Sequence, residues 1–127
     1  MKSIIINETN KDKIKAAIRE VEGKATARTI DYDDIVRATQ YIEKMLGIPK
    51  KYLEGIRYDV DIYAQNFPKA YKYRAESTQF VIEYIKGKWR LVSVERAYTR
   101  TAGHDYKCLT MPEETKKAII ETKMDFC

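Results

Sequence analysis

The chain is short of the residues that most catalytic and metal-binding chemistry requires. It has one histidine and two cysteines among 127 residues, so a Ser-His-Asp arrangement could centre only on His104, and Cys108 and Cys127 do not make a disulfide framework. Its five glycines are scattered at turns, and neither G-x-G-x-x-G nor a Walker phosphate-binding pattern occurs. No apolar run approaches the ~20 residues of a membrane helix, and the opening "MKSIIINETN" offers only three isoleucines where a signal peptide needs a longer apolar stretch. No membrane association is expected, and the expected compartment is the cytoplasm. No enzyme and no cofactor is expected either.

What is present describes one folded domain over residues 1–127. Hydrophobic residues make up 44% and charged residues 34%, with ten tyrosines and one tryptophan, a composition that supports a single two-layer core and no linker. The net charge is +5, and its placement is uneven. Residues 1–64 carry 12 Lys/Arg against 11 Asp/Glu, residues 65–107 carry 9 against 4, and residues 108–127 carry 3 against 4. The middle of the chain is therefore the basic part, a property that raises encounter rates with nucleic acid or an acidic protein surface.

Hydrophobic spacing predicts the elements. "SIIIN", Ser3 to Asn7, reads as a short buried strand. Ile14, Ala17, Ile18 and Val21 recur at helical spacing, with Asn10 as N-cap and Gly23 as C-cap. "KATARTI" alternates as a second, modest strand. Asp31 caps a second helix that lines up Ile35, Ala38, Ile42, Met45 and Leu46 before Gly47 and Pro49 end it. From Gly55 the period changes to two, with Ile56, Tyr58, Val60 and Ile62 on one face and Arg57, Asp59 and Asp61 on the other. A hairpin follows, with Lys86 and Gly87 as its turn. That register sets Tyr84 opposite Trp89, Ile82 opposite Leu91 and Phe80 opposite Ser93, and on the other face Glu83 opposite Arg90 and Val81 opposite Val92. "KCLT" gives a short strand, and "TMPEE" opens a last helix with Thr110 as N-cap, Glu113 at the capping-box position and Ile119, Ile120 and Met124 as its apolar side. The expected fold is α+β, a mostly antiparallel sheet of about five strands with three helices packed on one face.

Three constellations invite chemistry. His104 and Cys108 form an H-x3-C pair that Asp105 or Cys127 could extend; without a C-x2-C knuckle it reads as a loop histidine beside a strand cysteine, and no metal is expected. Asp59, Asp61 and Glu83 could bind Mg²⁺ for phosphodiester hydrolysis. Arg57 and Arg90 are also placed to neutralise these acids, which makes a metal-dependent nuclease the third reading. "FPKAYKYR", Phe67 to Arg74, interleaves rings with positive charge and no acid, the ingredients for stacking on bases and contacting phosphates or for anchoring a protein interface. Phe67 and one of Tyr71 or Tyr73 are expected to anchor this loop to the core. Lys69, Tyr71, Lys72, Tyr73 and Arg74, joined by Arg90, Arg96 and Arg100, are the expected partner-contact residues. A small nucleic-acid-binding protein using the basic 65–107 region is the second reading.

The patterns "I-x-I-N" at Ile4–Asn7, "N-x-x-x-I-x-x-A-I-x-x-V-x-G-x-A-x-A-R" from Asn10 to Arg28, "G-I-P-K-K" at Gly47–Lys51 and "F-P-x-A-Y-x-Y" at Phe67–Tyr73 together resemble small proteins of phages and mobile elements of gut bacteria. A looser "W-x-L-x-x-V-x-R" match runs from Trp89 to Arg96. Some members of that group are anti-CRISPR inhibitors of Cas9-type nucleases. The resemblance implies a non-enzymatic protein of the host bacterial cell that binds such a nuclease, with guide RNA as a further contact. With a sequence pI near 9.1, such an inhibitor would not act as a whole-protein mimic of DNA.

Overall fold

A computed structural model describes residues 2–23, 30–63, 75–99 and 106–118. The order of elements is β1 (Ile4–Ile5), a 3-10 turn (Glu8–Asn10), α1 (Lys11–Glu22), α2 (Tyr32–Leu46), a second 3-10 turn (Lys50–Tyr52), β2 (Arg57–Tyr63), β3 (Ala75–Ile85), β4 (Lys88–Thr99), β5 (Tyr106–Thr110) and α3 (Glu113–Ala118). The five strands form one sheet in the order β1-β4-β3-β2-β5, every pairing antiparallel. The chain is a single α+β domain, as its periodicities predict.

One face of the sheet carries the core. Tyr58, Val60, Phe80, Ile82, Tyr84, Trp89, Leu91, Val94 and Leu109 pack in one cluster with Ile14 and Ile18 of α1 and Ile35, Ile42 and Leu46 of α2. On α2 the buried positions are Tyr32, Ile35, Thr39, Ile42 and Leu46, an alternating three-and-four spacing that keeps one stripe inward. Met45, expected in that stripe, is 37% exposed, because it follows Ile42 by three and sits one residue short of the inward position taken by Leu46. The isoleucines of β1 are half-buried. They are not a fully buried strand, because β1 pairs only with β4 and forms a sheet edge.

The ends of α2 follow local chemistry. Asp31 accepts from the Asp34 amide while the Asp34 carboxylate accepts from the Asp31 amide, a reciprocal capping box. Gly47 ends the helix in the left-handed conformation at φ 59°. At α1 the cap differs from expectation. Asn7 supplies the side-chain acceptor for the Asn10 amide, and Asn10 itself gives no cap bond, its Nδ2 donating instead to the Ile5 carbonyl at 2.9 Å. Gly23 closes α1 with its amide on the Arg19 carbonyl.

The hairpin forms around Lys86 and Gly87, both at positive φ (53° and 75°), the mirror-image turn that suits twisted strands. Tyr84 opposes Trp89, Ile82 opposes Leu91 and Glu83 opposes Arg90 as expected. Beyond them a bulge shifts the register, so Val81 opposes Ser93 and Phe80 opposes Val94, in place of Val92 and Ser93. The cause is burial: the extra residue turns the Ser93 hydroxyl away from the apolar layer and brings Val94 in beside Phe80, which avoids an unpaired polar group there. The "KATARTI" strand lies outside the described residues apart from buried Ile30, as do Ile119, Ile120 and Met124.

Candidate functional site

The sheet's second face is built from the alternate residues of the same strands. Register aligns Thr110, Arg57, Glu83, Arg90 and Ile5 in one row across all five strands, with Asp59, Val81 and Ser93 in the next. Gln79, Val81, Glu83, Ile85, Arg90 and Val92 are half-buried, and Arg57 and Lys88 are exposed. None of the described side chains on this face is fully buried, in contrast to the helix-covered side. Three β-branched apolar residues, Val81, Ile85 and Val92, thus stand among Arg57, Lys88 and Arg90, a mixture of apolar surface and arginine that characterises interfaces.

The acids of this face do not gather. Arg57 Nε donates to Asp59 Oδ1 at 3.0 Å, an exposed pair within one strand, of a kind worth at most about 1 kcal/mol. Glu83 lies between Arg57 and Arg90 in register, yet no ion pair joins it to either among the described residues. Asp59 faces Cys108 across the β2–β5 pairing. No three His, Cys, Asp or Glu residues stand close enough to hold a metal ion among the described residues. The side chains of Asp61 and Cys108, and the whole of His104, lie outside them.

Of the expected partner contacts, Arg90 is the one whose side chain is described; it lies in the central row, on the strand next to β1. Arg96 falls in β4 by its backbone, with its side chain outside the described residues. Lys69, Tyr71, Lys72, Tyr73, Arg74 and Arg100 lie outside them too. The segment carrying the first five starts from the end of β2 at Tyr63 and returns at Ala75 of β3, the end of the hairpin opposite its turn. Sequence reasoning set Val81 and Val92 on the face of Glu83 and Arg90 but did not single out them or Ile85 as contact residues. A valine or isoleucine on an alternating strand gives the same signal whichever face is covered, and only the helix contacts decide between them.

The hairpin is braced at its tip by a residue with no sequence signal. Both carboxylate oxygens of exposed Glu54 take the turn amides, Lys86 N at 2.6 Å and Gly87 N at 3.2 Å. Next to it, the Gly55 amide donates to the Tyr84 carbonyl and the Tyr84 amide to the Ile56 carbonyl, both at 2.9 Å. Trp89 closes the covered side, meeting Tyr84 edge to face at 5.2 Å and donating its indole N–H to Glu43 of α2 at 2.8 Å. The second face, which no described helix covers, therefore rests on a hairpin braced at its tip.

No protein-family model matches the chain, and no curated protein or solved structure does either.

Proposed function

We propose that the chain is a non-enzymatic binding protein of phage or mobile-element origin that docks on an anionic macromolecular complex, a Cas9-type nuclease with its guide RNA, and so inhibits it. The observation that carries this reading is the sheet face on which half-buried Val81, Ile85 and Val92 stand among Arg57, Lys88 and Arg90. β-surfaces of this composition suit docking against a preformed partner, where apolar contact gives affinity and the cations select an acidic surface. The basic 65–107 region, opening with Lys69, Tyr71, Lys72, Tyr73 and Arg74, extends the positive charge in the same part of the chain. The type of partner comes from the resemblance to mobile-element inhibitors.

The direct test is cleavage by purified Cas9 orthologues loaded with guide RNA, with and without the purified protein. Inhibition is expected against at least one orthologue. It should be lost in the Val81→Asp/Val92→Asp double variant and weakened by Lys69→Ala/Lys72→Ala/Arg74→Ala, each variant first checked for its fold by circular dichroism. No inhibition across several orthologues would sink the reading. Tight binding to bare DNA or RNA with a steep salt slope would replace it with a nucleic-acid-binding protein using the basic 65–107 region.

A further inference from the structure

Along the edge of the sheet at β1 runs an open groove of about 420 Å³, lined by the β1 residues together with Lys2, Ser3, Asn10, Lys13 and Arg90. Among the described residues its three cations come from separate parts of the chain, and no carboxylate lines it. Two connections assemble it. The β1–β4 pairing sets Ile5 opposite Arg90. The Asn10 side chain, bonded to the Ile5 carbonyl at 2.9 Å, ties the start of α1 to β1, which brings Lys13 of the first helical turn to the same edge. Lys2 and Lys13 are exposed, whereas Arg90 is half-buried.

The Arg90 Nε is itself buried and has no hydrogen-bond partner among the described residues. A buried donor on a charged group without an acceptor is rare in folded proteins, and here it marks a guanidinium charge that the described residues do not neutralise. Glu83, the acid facing Arg90 across the hairpin, does not supply it. We propose that this groove binds a phosphate group, with Arg90 as the directional donor and Lys2 and Lys13 as flanking charges. A tetrahedral oxyanion has enough acceptor oxygens to take the arginine N–H groups, two ammonium groups and the Ser3 hydroxyl together. Because the groove is open, the phosphate can be free or carried on a nucleic-acid backbone. Arg90 lies two residues into β4, near the turn, whereas the Ala75–Thr99 end of the same hairpin is roughly 30 Å away along the strand.

The test is nitrogen-15 NMR of the full chain, following the Arg90 Nε–H signal and the Ser3 and Ile5 amides. Inorganic phosphate and an oligouridine octamer are titrated separately at constant ionic strength. Saturable movement of these signals with either probe is the expected result. Tighter binding of the octamer assigns the phosphate to a nucleic-acid backbone, and equal or tighter binding of inorganic phosphate assigns it to a small ligand. Arg90→Gln should weaken binding at least tenfold, read from the Ser3 and Ile5 amides. Lys2→Ala with Lys13→Ala, at exposed positions that leave the fold intact, should weaken it severalfold. Lys69→Ala/Lys72→Ala/Arg74→Ala should leave inorganic phosphate binding unchanged, even if it abolishes nuclease inhibition. The proposal is overturned if neither probe saturates, if sodium chloride reproduces the shifts, or if the Lys2/Lys13 variant binds as the parent does.

Discussion

Replacing Glu22 with alanine removes an acceptor shared by three parts of the fold. Glu22 ends α1 and is 7% exposed. Its Oε1 takes the backbone N–H of Ile30 at 3.0 Å and the hydroxyl of Thr78 in β3 at 3.1 Å. One carboxylate therefore joins the end of the first helix, the approach to the second and the middle of the sheet. Each hydrogen bond to a charged acceptor contributes about 1.5–3 kcal/mol, and both are lost with the side chain. Alanine returns only a few tenths of a kcal/mol in helix propensity. Glu22→Ala should therefore cost about 3–5 kcal/mol, a large share of the ~5–15 kcal/mol by which such domains are stable. In a thermal melt this is a fall of roughly 10–20 °C for a chain of this size. Glu22→Gln keeps an acceptor oxygen and should lose about half as much. Thr78→Val should cost about 1–3 kcal/mol, and the Glu22/Thr78 double-mutant cycle should show coupling of about 1 kcal/mol or more. Urea denaturation of the parent, the three single variants and the double variant measures all four quantities. A Glu22→Ala protein within 1 kcal/mol of the parent, or strictly additive single variants, would refute the idea that this carboxylate holds the layers together.

Other perturbations follow from the same geometry. Glu54→Ala should loosen the hairpin tip by about 1 kcal/mol, since its carboxylate takes both turn amides at the surface; faster amide exchange confined to Lys86 and Gly87 would confirm it. Gly55 sits at φ 85°, and a Cβ there would lie 2.8 Å from Pro112 Cγ, so Gly55→Ala should cost about 2 kcal/mol or more in urea denaturation. Burial, with a smaller push from the neighbouring Tyr41, raises the Tyr58 hydroxyl from 10.0 to about 12. Between pH 10 and 12 the unfolded chain sheds a proton that the fold retains, so stability falls as pH rises through this window, by on the order of 2 kcal/mol. Tyr58→Phe should remove that part of the decline, and equal slopes for the two proteins over this window would contradict the assignment.

The parts of the fold that were legible in sequence are those fixed by neighbours along the chain. The Asp31 cap, the helix stop at Gly47 and the Lys86–Gly87 turn depend on residues within a few positions of one another, and each formed as spacing implied; the reciprocal bond from Asp34 was not foreseen. The bulge in β4 did not announce itself, because "LVSV" alternates as well with Ser93 inside as with Val94 inside until Phe80 must be matched across the hairpin. The braces were hidden for a different reason. Glu22, Glu43 and Glu54 look like solvated acids in any window of sequence, yet each takes an N–H from a segment 8 to 46 positions away. A glutamate becomes structural only when folding brings an orphan donor to it.

Charge shows the same limit in the reverse direction. Counted in windows, residues 1–64 are nearly neutral and residues 65–107 hold the surplus, which points to "FPKAYKYR" as the place where an anion would be held. Space redistributes that count. Lys2 and Lys13 belong to the balanced window, and their local acids Glu8 and Asp12 do not line the groove they share with Arg90. What concentrates positive charge at that edge is two residues of antiparallel pairing between Ile4–Ile5 and Arg90–Leu91, a link spanning almost ninety positions. The short "SIIIN" strand thus has a consequence beyond completing the sheet. It carries Lys2 and Ser3 to a half-buried arginine, so an anion site would depend on the pairing of β1 as much as on the cations. Weakening that pairing, for instance with Ile5→Pro, should abolish phosphate binding while every cation is still present in the chain.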